Sequence, residues 1–123
     1  MILFRYYDKD KRVDYAWYNS SSVLYSECDD KVDDFKELKV VFKGGSTYVY
    51  KQVNVHDYLM FMVGGLDGSN GKALNKYIKP KCEYEKLPDT DLSQLDEKMK
   101  ELVARKKAEM ASEEENEKNK NEA

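Results

Sequence analysis

Two tyrosines and a neighbouring lysine are the residues whose types and spacing are best suited to binding a ligand. Tyr48 and Tyr50 are separated by one residue, so on a β-strand both side chains point to the same face of the sheet. Lys51 follows them directly. Aromatic side chains on a sheet stack nucleobases, and lysines at the rim contact phosphate. The pattern predicts a nucleic-acid-binding surface, and packing of both tyrosines in the core is the alternative interpretation.

A second basic group lies further along the chain. Lys72, Lys76 and Lys79 follow one another at spacings of four and three, which place them on one face of a helix. A basic helix face near tyrosines is typical of a nucleic-acid-binding domain, so these lysines are predicted to contact phosphate. An ordinary solvated helix face is the alternative.

The turn before these lysines is rich in glycine. Ser69, Gly71 and Lys72 are the predicted contacts for a phosphate or another anion, because the first backbone N–H groups of a helix lack partners within the helix. The segment is not a Walker A loop, since Leu66 and Ala73 occupy the positions where that motif requires Gly and Ser or Thr. A capped turn without a ligand is the alternative.

Residues suited to catalysis or metal binding are scarce. His56 is the single histidine and has only Asp57 beside it, while Cys28 has no other histidine to assist it. Four aspartates of one loop lack the glycine and the terminal glutamate of an EF-hand: Asp29, Asp30, Asp33 and Asp34. The sequence therefore predicts a protein that is not an enzyme and has no cofactor and no metal site.

The elements that must position these residues are those of a small α+β domain. The chain has 123 residues, 41% hydrophobic and 37% charged, which suffices for one modest core. Alternating β-forming residues, a Gly44-Gly45 turn and helix caps at Asn54 and Ser69 predict an antiparallel sheet of four to six strands with two short helices. The two-residue glycine turn is expected to join the central hairpin.

An amphipathic helix is predicted after Pro88. Its apolar positions recur at spacings of three and four and form one stripe: Leu92, Leu95, Met99 and Leu102. This stripe is expected to dock on its own domain or on another protein, with self-association as a further alternative. The predicted organisation has four parts: a β-hairpin extension at 1–20, an α+β domain at 21–87, the helix at 88–111, and a polar, disordered tail at 112–123.

Several segments of residues 21–87 resemble the KTSC domain, a short domain found at the C-terminus of some lysyl-tRNA synthetases and as stand-alone bacterial and phage proteins. The matching pieces occur in the family's order: Ser-Ser-Val-Leu at 21–24, Leu-Lys-Val-Val-Phe-Lys-Gly-Gly at 38–45, Tyr-Val-Tyr at 48–50, Ser-Asn-Gly-Lys-Ala-Leu-Asn at 69–75 followed by Ile78, and Cys-Glu-Tyr at 82–84 with Leu87. Asn54 replaces the family's usual proline, and Cys82 stands where tyrosine is frequent. The resemblance implies a small α+β fold and RNA binding, which has been suggested for the family.

The charge distribution limits the strength of such binding. The net charge is −3, yet residues 39–86 contain eight lysines and four acidic residues, a local charge of +4. A basic region within an acidic chain argues against strong non-specific binding and favours one basic face. The sequence has no apolar run of about 20 residues and no signal peptide, so a cytoplasmic protein without membrane association is expected.

Two functions follow as expectations. The first is a small non-catalytic module that binds nucleic acid, RNA above all. The second is a protein-interaction or inhibitor protein, for example phage-encoded, that acts on a host enzyme; the acidic C-terminal segment favours it. A nucleotide or small phosphorylated ligand at Ser69–Lys72 is a third, weaker alternative.

Overall fold

A computed structural model describes residues 1–30 and 35–121, with side chains up to residue 113. Two of the four loop aspartates, Asp33 and Asp34, lie outside these ranges. The elements in chain order are β1 Ile2–Asp8, β2 Val13–Tyr18, β3 Val23–Asp29, β4 Phe35–Phe42, β5 Thr47–Asn54, α1 Val55–Val63, α2 Asn70–Ala73, a π-helical turn Leu74–Ile78, β6 Tyr84–Leu87 and α3 Leu92–Asn121. The predicted α+β class, with a C-terminal helix, is confirmed.

All six strands form one antiparallel sheet in which each strand pairs with its neighbours in the chain, from β1 to β6. The N-terminal hairpin is part of this sheet, because β2 pairs with β3 along its length, for example Tyr15 with Glu27. Residues 1–90 form one compact unit and residues 91–123 a second one. The segments predicted as a hairpin extension and an α+β domain therefore share a single sheet.

The loop between β4 and β5 is longer than the predicted two-residue turn. Val41 pairs with Thr47, and the N–H of Phe42 donates to the carbonyl of Ser46 at 2.9 Å. Of the two glycines only Gly45 has a positive φ, 98°, and its N–H donates to the carbonyl of Phe42. A loop of this length needs one left-handed residue, whereas a two-residue type I′ turn needs two.

Helix α1 begins and ends with the caps that its sequence predicts. The Asn54 side chain accepts the N–H of Asp57 at 2.8 Å, which satisfies one of the free donors of the first turn. Gly64 ends the helix in the left-handed region with φ 82°. Between these caps Tyr58, Phe61 and Met62 are buried in the main apolar cluster together with sheet residues.

A buried carboxylate connects the sheet to α1. Asp14 on β2 accepts from the Arg5 guanidinium on β1 at 2.9 to 3.1 Å, and from the hydroxyl of Tyr58 on α1 at 2.7 Å. Asp14 is 4% exposed, so its charge is compensated by partners in place of water. The same hydrogen bond with Asp14 raises the pKa of Arg5. These contacts fix the helix to one end of the sheet.

Helix α3 forms the second compact unit. The Asp91 carboxylate accepts hydrogen bonds from the backbone N–H of Ser93 at 3.0 Å and from the Ser93 hydroxyl at 2.7 Å. These bonds lower the pKa of Asp91. The helix continues through residues 112–121. The sequence assigned residues 112–123 to a polar, disordered tail, and the disorder of this segment stays a prediction. None of the helices in the described ranges combines the length and the apolar composition needed to cross a membrane.

Removing the Asp14 carboxylate is expected to destabilise the fold. Asp14→Ala removes the acceptor of the Tyr58 hydroxyl and the buried carboxylate that pairs with Arg5, and should lower the free energy of unfolding by about 3 kcal/mol. Tyr58→Phe removes one of these bonds and should cost about half as much. Urea denaturation measures both. Glu85→Ala is the control, because it removes an exposed 3.9 Å ion pair with Lys51 and should change stability by less than about 0.5 kcal/mol. Equal losses for Asp14→Ala and Glu85→Ala would contradict the role of the buried carboxylate.

Candidate functional site

An open pocket with a volume of about 600 Å³ lies near the β6 edge of the sheet, on the face that α1 covers elsewhere. Its walls come from β4, the β4–β5 loop, β5, β6 and the residue after the π-helical turn: Phe42, Ser46, Tyr48, Tyr50, Tyr84 and Lys79. Strand pairing explains the collection of tyrosines. Tyr50 pairs directly with Tyr84, and Tyr48 lies two residues away on the same face.

The aromatic rings of the pocket meet at steep angles. Phe42 and Tyr48 have ring centroids 5.9 Å apart and planes inclined by 82°. Tyr48 and Tyr84 are 6.0 Å apart at 63°, and Tyr50 and Tyr84 are 6.0 Å apart at 44°. Edge-to-face contacts of this kind are favourable because the positive edge of one ring meets the negative face of the next. The rings therefore form walls of a pocket and not one flat surface.

The tyrosines predicted as an exposed pair differ in their environment. Tyr50 is 1% exposed and belongs to the main apolar cluster, and this burial raises its pKa to about 12. Tyr48 is half-buried against the same cluster. Tyr84, which the sequence did not predict as a site residue, is 62% exposed. Tyr84 and Tyr48 consequently offer the accessible aromatic surface, and Tyr50 supports them from below.

Lys79 brings a positive charge to the pocket. Its Nζ lies 5.9 Å from the centroid of the Phe42 ring, within the range of a cation–π contact. The π-helical turn sets this position, because the N–H of Lys79 donates to the carbonyl of Leu74, five residues earlier, at 3.0 Å. Pro80 follows immediately and cannot continue a helical hydrogen-bond pattern.

A second pocket, of about 370 Å³, adjoins the first and shares Phe42 and Lys79 with it. Its other walls come from the β2–β3 loop, α2 and the π-helical turn: Ser21, Ser22, Ser69, Gly71, Lys72, Leu74 and Asn75. A Cβ atom at Gly71 would lie 2.5 Å from Oγ of Ser22, so a larger residue would force the Ser22 hydroxyl to move. The three residues predicted as anion contacts, Ser69, Gly71 and Lys72, therefore lie together in one pocket.

The predicted lysines are divided between different surroundings. Lys72 and Lys79 line the pockets. Lys76 points elsewhere, with its Nζ 5.3 Å from the ring centroid of Tyr77. The spacings of three and four residues therefore do not bring all three lysines to one site. Lys51 lines neither pocket and is 3.9 Å from Glu85 in an exposed ion pair.

The two pockets share an electrostatic character. Among the described residues that line them none is acidic, whereas Lys72 and Lys79 are both exposed cations. Hydroxyl and amide groups of Ser22, Ser69 and Asn75 add hydrogen-bonding capacity beside them. One hydroxyl is partly used, because Ser69 accepts the N–H of Lys72 at 3.3 Å as the cap of α2. This combination suits a ligand that is both aromatic and anionic.

Titratable groups elsewhere have structural partners. Asp57 is buried at the start of α1, with Nδ1 of His56 at 3.3 Å and Nζ of Lys81 at 3.4 Å. Its backbone N–H is held by the Asn54 cap. Among the side chains that the structure describes, in residues 1–30 and 35–113, no three of His, Cys, Asp or Glu come together as a metal site.

Sequence reasoning missed Phe42, Tyr84, Ser21 and Ser22 as site residues. Tyr84 and Tyr48 lie on different strands, so only the pairing of β5 with β6 brings them together.

The chain matches no protein-family model, and no curated protein or solved structure is significantly similar to it.

The tyrosines of the pocket should differ sharply in their effect on stability. Tyr50→Ala removes a fully buried ring from the core and should lower the free energy of unfolding by about 3–5 kcal/mol. Tyr84→Ala removes a mostly exposed ring and should cost less than about 1 kcal/mol. Denaturant titration of both variants measures the difference. Similar losses would show that Tyr84 belongs to the core and is not available for a ligand.

Proposed function

We propose that this protein is a small, non-catalytic module that binds nucleic acid, RNA above all, through the two adjoining pockets. One observation supports it most directly: Lys79, Phe42, Tyr48 and Tyr84 line the same open pocket. The resemblance of residues 21–87 to the KTSC domain agrees with this proposal, since RNA binding has been suggested for that family.

The chemistry of the pocket favours a nucleotide over other aromatic-binding ligands. Every nucleobase has a π-face that stacks on tyrosine, and every nucleotide of a strand brings one negative phosphate. Aromatic cages also bind ammonium ligands, but the Lys79 ammonium group beside Phe42 repels a second cation. An anion with an aromatic part fits both the rings and the charge.

The adjoining pocket suits the phosphate. Lys72 and Lys79 are exposed lysines at its edge, and Ser22 and Ser69 supply hydroxyl groups. Lysine binds phosphate as a compact point charge with three donors. Two lysines give a modest electrostatic contribution, which agrees with a chain whose net charge is −3. Affinity is therefore expected to come from stacking and charge together.

Salt dependence and lysine substitutions test the proposal. Fluorescence anisotropy with a labelled single-stranded RNA should show affinity that falls as salt concentration rises. Lys72→Ala and Lys79→Ala should each weaken binding and lower the slope of log K against log salt by roughly one. Lys76→Ala is the matched control from the same helical segment, because its side chain lies over Tyr77 and away from the pockets.

Two results would contradict the proposal. The first is the absence of measurable RNA binding by a folded protein, and the second is an equal loss of affinity in Lys76→Ala and Lys79→Ala. Circular dichroism of each variant establishes that the fold is retained.

A protein-interaction module is the second candidate, favoured by the outer face of α1. Val55, Leu59 and Val63 recur every four residues on this helix and are 42%, 48% and 60% exposed. Leu66, in the following turn, is 88% exposed. An apolar stripe of this kind is suited to a helix-in-groove contact with another protein. The other predicted surface for such a partner is the stripe of α3: Leu92, Leu95, Met99 and Leu102. Leu95 and Leu102 are only 6% and 3% exposed, so this stripe is less accessible than that of α1.

Nuclease treatment separates the two candidates. If a protein partner docks on α1, the tagged protein should capture that partner from a lysate, and the partner should stay bound after nuclease digestion. The Leu59→Ser variant should lose the partner and keep its RNA binding. Leu3→Ser is the control, since Leu3 is 59% exposed on β1 and lies outside the stripe, so the partner should stay bound. Loss of all captured material on nuclease treatment, with Leu59→Ser behaving as the unmodified chain, excludes this candidate.

A further inference from the structure

We propose that the ligand of the aromatic pocket is a single unpaired nucleotide, with its base stacked on the exposed ring of Tyr84 and its edge against Tyr48, and with its phosphate in the adjoining pocket. The inference rests on the proposed function and narrows it to one class of nucleic acid. A nucleotide that protrudes from a paired stem is then bound in preference to a duplex or a continuous run of stacked bases.

The inclination of the rings is the first argument. A surface that stacks successive bases needs rings that are exposed and nearly parallel along the strand. Here the planes of Phe42 and Tyr48 are inclined by 82°, and those of Tyr48 and Tyr84 by 63°. One base can lie against one ring while its edge meets the next, but a second base stacked on the first finds no parallel ring.

The concave shape of the site is the second argument. Tyr50 is 1% exposed and forms the floor, while Phe42 and the mostly exposed Tyr84 rise beside it. The volume of about 600 Å³ lies within the range of small-molecule pockets. A base held in a Watson–Crick pair presents only its edge in a groove, so it must leave its stack to enter such a pocket.

The adjacency of the two pockets is the third argument. Both pockets share Phe42 and Lys79, so the aromatic and the polar compartment are contiguous. A nucleotide has the same arrangement, with a flat base at one end and a phosphate at the other. Lys79 faces the boundary, and Lys72 with Ser22 and Ser69 lines the polar compartment. One nucleotide therefore satisfies both pockets at once, without a second one.

Fluorescence anisotropy with matched RNA hairpins tests this directly. The probes are a labelled hairpin with one bulged nucleotide, the same hairpin without the bulge, and the bulged hairpin with an abasic residue in the bulge. The bulged hairpin should bind about tenfold more tightly than the other two, since only it can supply a base to the pocket. The abasic probe keeps the phosphates and the distorted backbone, so it isolates the base.

Variants identify the pocket as the source of the preference. Tyr84→Ala should bring the three affinities together, and Lys79→Ala should weaken all of them. Tyr7→Ala is the matched control, because Tyr7 is 40% exposed and lies on β1, at the opposite edge of the sheet. It should leave the preference for the bulge unchanged.

Equal affinity for the paired and the bulged hairpin, still dependent on Lys79, would overturn the inference and leave the proposed function standing. The inference would also be overturned if the abasic probe bound as tightly as the bulged hairpin. An affinity for single strands that rises in proportion to the number of unpaired bases would overturn it as well. Failure of all RNA probes to bind would overturn the inference and the proposed function together.

Discussion

The pairing of β5 with both of its neighbours is the constraint on which the candidate site depends. Because strand side chains alternate between faces, pairing places Tyr48, Tyr50 and Tyr84 on the face that α1 packs against. A shift of one residue would move all the aromatic side chains of β5 to the other face. Burial of Tyr50 and Val53 against α1 opposes such a shift, so the core that stabilises the sheet also aligns the pocket.

The candidate site also depends on where Lys79 lies, and the backbone of that segment is irregular. A regular helix from Ser69 onward would place Lys72, Lys76 and Lys79 along one face. The chain instead forms a π-helical turn at Leu74–Ile78, with Lys79 beside Phe42 and Lys76 over Tyr77. Gly71 brings the start of this segment against Ser22. The basic and aromatic residues thus meet through backbone geometry in two short segments.

Much of the fold was predictable because it depends on local signals. Helix α1 begins at the Asn54 cap, and Ser69 caps α2 as expected. The glycine-containing hairpin has the predicted strands, although its loop is longer than expected because only Gly45 adopts a positive φ. The site was predicted less completely. Tyr84, whose ring contacts that of Tyr48, is distant in sequence, and no pattern within β5 distinguishes the buried Tyr50 from the half-buried Tyr48.

The residue types of the site and the order of the strands and helices follow from local sequence patterns, because periodicity, caps and turn residues act over a few positions. Which of those residues meet depends on tertiary structure. Tyr84 joins Tyr48 through the β5–β6 pairing, and Lys79 joins them because the segment that follows α2 brings its ammonium group beside Phe42. Exposure was decided in the same way, since whether a tyrosine is core or accessible depends on what packs above it.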